Sequence, residues 1–308
     1  MAYLSAMEYN TLGAVDLGSN SFHLAVGRVV DDQIYPLDSL KETVRLGSGL
    51  TEDKQLDSLA QDRALAALKR FSERLAGMPR EAVRVVGTNA LRVAKNAGPF
   101  LRRAESTLGF PIEVIPGREE ARLIYLGVVH SLPMSPHNRL VADIGGGSTE
   151  FIIGNKLKAK AMESLYMGCV SFTSRFFGDG RFDKKGFKRA ELAAREQVQT
   201  LAARFEKEGW REAIGSSGTA RSIAEILVQN GQLVKEDDSV MLYHTGDQFT
   251  IELPASRKGE KINIDGIDYP SNAANVLSVG GWTESSQCSR NPVAAQTIIL
   301  ACNGYFQY

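Results

Sequence analysis

Two apolar runs, residues 12–15 and 22–30, flank the polar segment Asp16-Leu17-Gly18-Ser19-Asn20-Ser21. The pattern predicts strand, tight turn, strand. Residues 34–37 add a short third strand. From 56 to 75 the apolar positions Leu59, Leu65, Leu68 and Phe71 recur at helical spacing. Val83-Arg84-Val85-Val86-Gly87 reads as a buried strand, and 90–104 as a second helix broken near Gly98-Pro99. Residues 112–115 form another short strand, punctuated by Pro116-Gly117, and 119–129 is helical. Antiparallel strands first, alternating strand and helix afterwards, imply a mixed sheet with helices packed on it.

Residues 140–143 reopen the pattern: a strand, the turn Ile144-Gly145-Gly146-Gly147-Ser148, and a second strand over 151–153. Asp16, Gly18, Ser21 and Gly27 match Asp143, Gly145, Ser148 and Gly154 at identical offsets, so both halves begin with one duplicated strand-turn-strand unit. A long amphipathic helix follows over 184–207. The strand at Ala213-Ile214 then leads into Gly215-Ser216-Ser217-Gly218-Thr219 and a helix over 220–229.

After Gly231 the composition changes, and residues 269–308 carry only Glu284 and Arg290 as charges. Short strands are expected at 250–253 and 262–264, around the turn-prone Lys258-Gly259. Trp282, Ile298, Ile299, Leu300, Tyr305 and Phe306 are expected to be buried, because such a stretch left in water invites aggregation. The chain therefore divides into a first α/β domain over 1–125, a second over 126–233, and an unassigned β-rich tail over 234–308.

Lys plus Arg and Asp plus Glu are both 36, so no global field recruits nucleic acid or a membrane surface. An anionic partner has to be held locally. Three cysteines, Cys169, Cys288 and Cys302, form no CxxC or Cys/His cluster, which argues against a disulfide framework or a zinc site. Without a basic, apolar leader or a run long enough to span a bilayer, the chain is expected to be cytoplasmic, with no transmembrane segment.

The candidate chemistry sits in three glycine-rich turns that follow strands: 16–21, 143–148 and 215–219. Glycine lacks Cβ, so successive N–H groups can point into one concavity and a phosphate oxygen can approach closely, while Ser and Thr hydroxyls add donors. One such turn alone reads as a hairpin; three, two of them headed by Asp at matched positions, point to phosphate. Asp16 and Asp143 end their strands, where they either accept turn N–H groups or hold Mg²⁺, which prefers carboxylate and water oxygens. Glu150 and Glu119-Glu120 are candidates to activate water, although acidic residues in a first helical turn also follow from the helix dipole. His23 lies beside the site, as apt to pack as to contact a ligand. Cys169 reads as a small core residue, and Lys184, Lys185, Lys188, Arg189 and Arg195 as a solvated helix face.

Six segments resemble, in order, the motifs of the exopolyphosphatase/guanosine pentaphosphate phosphohydrolase (Ppx/GppA) family. They are Ala14-Val15-Asp16-Leu17-Gly18-Ser19-Asn20-Ser21-Phe22-His23, Val86-Gly87-Thr88 with Leu91-Arg92, Glu119-Glu120-Ala121-Arg122-Leu123-Ile124-Tyr125, Asp143 through Glu150, Met167-Gly168-Cys169-Val170-Ser171-Phe172, and Gly215 through Thr219. The resemblance covers about residues 10–232. It implies two ribonuclease-H-like domains of the actin-like ATPase superfamily, with mixed sheets, flanking helices and a cleft between them.

By the same resemblance Glu120 is the catalytic base, and Arg92, Gly18, Ser19, Asn20, Ser21, Gly145, Gly146, Gly147, Ser148, Gly215, Ser216, Ser217, Gly218 and Thr219 hold phosphates. Asp143, Glu150 and Asp16 hold Mg²⁺, with Glu150 also counted as catalytic, and the protein is a possible homodimer. The implied activity is removal of terminal orthophosphate from inorganic polyphosphate. The alternatives are removal of the 5′ terminal phosphate of guanosine pentaphosphate, or phosphate binding without turnover. The resemblance stops at the tail, where family members normally continue the second domain with further helices and a closing strand, glycine turn and helix; Pro116 also stands where the family often has Ser.

Overall fold

The computed structural model describes residues 9–30, 33–229, 242–245, 248–250, 261–264, 267–270 and 283–284. Residues 251–253 of the expected tail strand, the turn at Lys258-Gly259, the apolar residues Trp282, Ile298, Ile299, Leu300, Tyr305 and Phe306, and Cys288 and Cys302 lie outside them. Strands β1 (Thr11–Leu17), β2 (Ser21–Val30) and β3 (Gln33–Thr43) form an antiparallel meander. Helix α1 (Ser58–Arg74) follows, then β4 (Val83–Gly87), α2 (Asn89–Val93), α3 (Ala97–Leu108) and β5 (Glu113–Val114). β4 and β5 add in parallel, giving the order 3-2-1-4-5.

Alternation along the strands decides which residues enter the core. Val15 and Leu17 of β1 and Phe22, Leu24 and Val26 of β2 meet Ala60, Ala64, Ala67, Leu68 and Phe71 of α1, with Phe100, Ala104 and Leu108 of α3 beside them. Asp57 starts α1 by accepting the Ala60 amide at 2.6 Å. The break expected near Gly98-Pro99 falls earlier, at 94–96. There the Asn96 carboxamide clasps the backbone of Leu56 in both directions, at 2.8 and 2.9 Å. Pro99 sits in the first turn of α3, where its missing N–H has no intrahelical partner to lose.

The second unit repeats the plan. Helix α4 (Gly117–His130) precedes the meander β6 (Arg139–Ile144), β7 (Thr149–Asn155) and β8 (Lys158–Leu165), which is followed by α5 (Cys169–Phe176), α6 (Lys184–Glu208), β9 (Glu212–Ser216) and α7 (Ser217–Gln229). β9 is parallel to β6, as β4 is to β1. Successive residues of each strand face opposite helices. Val141, Ile152 and Ile214 pack with Ile124, Tyr125 and Val128 of α4, while Leu140, Ile153 and Ala213 pack with Leu201 and Phe205 of α6. The two halves therefore share one plan, a three-stranded antiparallel meander extended by a parallel strand and packed with helices, which is the duplicated mixed-sheet α/β architecture expected from the sequence. The division drawn after residue 125 falls inside α4, whose buried apolar residues pack on the second sheet while its Glu120 pairs with Arg92 of the first half.

In the tail the described elements are strands. β10 (Leu242–Thr245) pairs antiparallel with β9, where the first half has parallel β5 beside β4. β11 (Gln248–Thr250) and a single pairing from β14 (Thr283–Glu284) add to β10, and β12 (Lys261–Ile264) pairs with β13 (Ile267–Pro270) apart from both sheets.

The repeated glycines are structural. Gly27 and Gly154 both lie where the register shifts at a bulge, in β2 against β3 and in β7 against β8. A Cβ on Gly154 collides with the phenol of Tyr125, which is fully buried and donates its hydroxyl to the Lys156 carbonyl at 3.0 Å. A Cβ on Gly27 comes too close only to a methyl of Ile34, on the partly exposed edge strand, and meets the Tyr35 carbonyl at an ordinary 3.5 Å. We expect Gly154→Ala to lower unfolding free energy by about 1–3 kcal/mol in urea titrations and Gly27→Ala by clearly less. Equal losses would show that the bulge, and not the Tyr125 packing, sets the effect.

Candidate active site

A cavity of about 690 Å³ is lined from both halves. Its floor is built from two matching rows across the sheets. In the first, Val86, Asp16, His23 and Lys41 are successive cross-strand partners; in the second, Ser216, Asp143, Glu150 and Ser164 take the same places. The duplicated backbone thus brings the Asp at each strand end to the same cleft, and both line it.

The turns after these strands are pinned from behind. The carbonyls of Ser19 and Asn20 accept the amides of Gly47, Val44 and Arg45, and the Ser19 hydroxyl accepts the Ala90 amide at 3.1 Å. The carbonyls of Gly145 and Gly146 accept the first amides of α5, from Cys169, Val170 and Ser171. With the carbonyls tied back, the amides of Gly146 and Gly147 have no protein acceptor among the described residues. They line the cavity and are anion donors by geometry.

The two turns touch. A Cβ on Gly147 would stand 2.6 Å from Asn89 Oδ1 and 2.8 Å from Ser19 Oγ, and one on Gly168 would enter the backbone of Gly146. The third turn is tighter than the sequence pattern suggests. β9 passes directly into α7 with Ser217 at φ 69°, a left-handed conformation unusual for a residue with a Cβ. The Ser217 hydroxyl donates to the Ile144 carbonyl at 2.7 Å and also bonds Asp143, as Ser216 does.

Four carboxylates gather here. Burial holds Asp16 well above the ordinary carboxylate range, reinforced by the negative charges of Glu120 and Asp143, and its Oδ1 has no hydrogen-bond partner. Burial lifts Asp143 from 3.8 to about 6, against the pull of the Ser216 and Ser217 hydroxyls. Glu150, 1% exposed, is also pushed well up by burial and by Glu120 and Asp143, although Ser164 donates to it at 2.6 Å and Ser148 also bonds it. Glu120 is the exception in having a cation: its Oε2 lies 2.5 Å from Arg92 Nη1.

This donor set fits Mg²⁺. It is carboxylate oxygen short of positive charge, including one orphaned buried oxygen. Among the described residues no three acidic, His or Cys side chains converge as a metal site, so the fit rests on Asp16 and Asp143, the two strand-end carboxylates that line the cavity, with water and phosphate oxygens left to fill the other positions.

Of the residues expected at the site, Gly18, Ser19, Asn20, Ser21, Glu120, Asp16, Asp143, Gly145 through Ser148 and Ser216 through Thr219 line the cavity. Arg92, Glu150 and Gly215 lie behind it: Arg92 is turned onto Glu120 and the Ile115 carbonyl, and Glu150 is beneath Asp143. Cys169, expected in the core, is instead exposed at the start of α5 and lines the cleft, because α5 begins on the surface of the glycine turn. His23, Lys41, Thr88, Asn89 and Arg221 also line it, together with Ile124, Gly127 and Val128 of α4.

Two like α/β units with glycine turns and carboxylates at their seam form a cleft suited to phosphate, and comparison gives the particular family. The sequence profile of the Ppx/GppA phosphatase family matches residues 25–273, and the chain belongs to that family. It is similar to the crystal structure of an exopolyphosphatase from Cytophaga hutchinsonii, at 32% identity over 72% of this chain and 71% of that one, with a TM-score of 0.64. A Ppx/GppA enzyme of Aquifex aeolicus matches at 28% identity over 71% of each chain, with a TM-score of 0.58. A crystal structure of an exopolyphosphatase-like protein matches at 29% identity over 71% of this chain and 69% of that one, with a TM-score of 0.64. No helix among the described residues is long and apolar enough to cross a membrane.

Two expectations follow. Gly147→Ala forces Ser19 and Asn89 away from the turn, so phosphate release should fall at least tenfold at temperatures where the variant, with a somewhat lower melting temperature from the disturbed Ser19 contact, is still fully folded; unchanged turnover would show that the contact is dispensable. The second concerns pH. The folded state holds the Asp143 proton more tightly than the unfolded chain does, so ionising Asp143 opposes folding, and this part of the stability is lost as pH rises from 3.8 to about 6. Without divalent cations, Asp143→Asn should gain on the wild type in unfolding free energy across that window. A difference independent of pH would contradict it.

Proposed function

We propose that the protein is an exopolyphosphatase, hydrolysing the terminal phosphoanhydride of inorganic polyphosphate to release orthophosphate. The observation that carries this reading is the makeup of the cleft. Glycine amides, serine and threonine hydroxyls, carboxamides, Lys41 and Arg221 face it beside a carboxylate cluster, and these are groups that bind phosphoryl oxygens or the cation that accompanies them.

In this reading the terminal phosphoryl lies between the turns at 18–21 and 145–148. Asp16 and Asp143 would hold Mg²⁺ from the cavity side with Glu150 beneath Asp143, and the ion would offset the negative charge of the phosphates. Glu120 accepts a proton from water as the water oxygen bonds the terminal phosphorus. The bridging oxygen leaves with its bonding electrons on the shortened chain, and backbone amides stabilise the charge in transit. Arg92 sets the timing. While its guanidinium is on Glu120 the carboxylate is a poor base; an incoming phosphate draws Arg92 away and frees it.

Glu120→Gln should lower turnover by roughly 10²- to 10⁴-fold while leaving substrate affinity largely unchanged, and near-normal turnover would remove Glu120 from the reaction. The substrate is tested by phosphate release from long-chain polyphosphate and from guanosine pentaphosphate at equal concentrations of terminal phosphate. Faster release from polyphosphate is expected. A clear preference for the nucleotide would overturn the assignment, and release from neither would reduce the protein to a binding module.

A further inference from the structure

We propose that Asn89 is a substrate-binding residue, its carboxamide nitrogen donating to a phosphoryl oxygen held against the Gly146–Gly147 amides. The proposal rests on the phosphate-cleaving reading above and adds to it a contact from the first half of the molecule. Asn89 is 6% exposed and lines the cavity, and its Nδ2 has no hydrogen-bond partner. A buried amide donor left unmade carries a desolvation penalty, and native proteins rarely keep one without a use.

Position supports the use. Asn89 Oδ1 sits against Gly147, with room only because that residue has no Cβ, so the carboxamide is fixed beside the unpaired amides of the opposite turn. Its neighbour Ser19 does the structural work at this seam, accepting the Ala90 amide, and Asn89 is not needed for it.

The duplication gives a second, independent line. Asp16 pairs with Val86 across β1 and β4, and Asp143 pairs with Ser216 across β6 and β9. Counting the same distance on from Val86 and Ser216 brings the chain to Asn89 and Thr219, and both line the cavity. Asn89 is thus the first half's counterpart of a residue in the third glycine turn. It escapes a search for glycine-rich turns because its own segment, Gly87-Thr88-Asn89, has a single glycine.

The test uses the full chain and inorganic phosphate, the product of the proposed reaction, with binding measured by calorimetry and folding by thermal melting. Asn89→Ala should bind phosphate about tenfold more weakly or worse, as expected for loss of a hydrogen bond to a charged group. Its melting temperature without phosphate should equal or exceed that of the wild type, because an unsatisfied donor has been removed. Asn89→Asp keeps the shape but presents only acceptors, so it should lose more affinity than the alanine variant.

Unchanged affinity in both variants would overturn the proposal. So would an unliganded Asn89→Ala that melts well below the wild type, since that marks a structural role. A wild type that binds phosphate but cleaves neither polyphosphate nor guanosine pentaphosphate would sink the proposed function and leave the Asn89 assignment to be judged on binding alone. A wild type that does not bind phosphate would overturn both.

Discussion

Four carboxylates share one buried neighbourhood, one of them paired with the Arg92 guanidinium, and much of the molecule is arranged around tolerating that. Asp16, Asp143 and Glu150 all sit above the ordinary carboxylate range, chiefly through burial and secondarily through one another and Glu120. Serine hydroxyls answer part of the charge, with Ser216 and Ser217 on Asp143 and Ser148 and Ser164 on Glu150. Like charges this close raise each other's proton affinity unless a cation intervenes. A phosphate entering alone would be repelled by the same group of charges. The arrangement therefore favours an anion that arrives with a counter-cation, which is the physical basis for reading the site as one for phosphate and Mg²⁺ together.

The duplicated backbone makes this possible and also breaks its own symmetry. The row Val86–Asp16–His23–Lys41 and the row Ser216–Asp143–Glu150–Ser164 occupy equivalent places, yet the first runs from the acid toward basic groups and the second toward a further acid and hydroxyls. One face of the cleft can supply positive charge to a polyanion while the other supplies ligands for a cation. A single unit has room for only one such row; two units facing each other give both in one cavity.

The sequence disclosed what short-range physics controls. Short apolar runs located β4 and β6, which are buried on both faces, and helical spacing located α1 and α6, which bury one. The aspartates and glycine turns were visible because strand-turn-strand repeats carry their own spacing. Lys41 was not, since β3 is an edge strand whose polar outer half, through Thr43, carries little apolar signal. β8 was missed because its inward positions include Ala159 and Ala161, too small to mark a buried face, and α5 because eight residues give barely two turns of period. The Arg92–Glu120 contact joins residues far apart in the chain, and no local pattern encodes it.

That contact bears on selectivity. With side chains only 14% and 8% exposed, the Arg92–Glu120 pair is shielded from solvent, where opposite charges hold each other more strongly than at a surface. Water alone offers Arg92 nothing comparable to the carboxylate it would have to leave. A multiply charged phosphate does, because the guanidinium can then exchange one anion for another without being stranded in a buried site. In the proposed reaction the base is therefore withheld until the substrate's own charge releases it. Within that reaction the substrate is selected by the charge that its terminal phosphate offers Arg92.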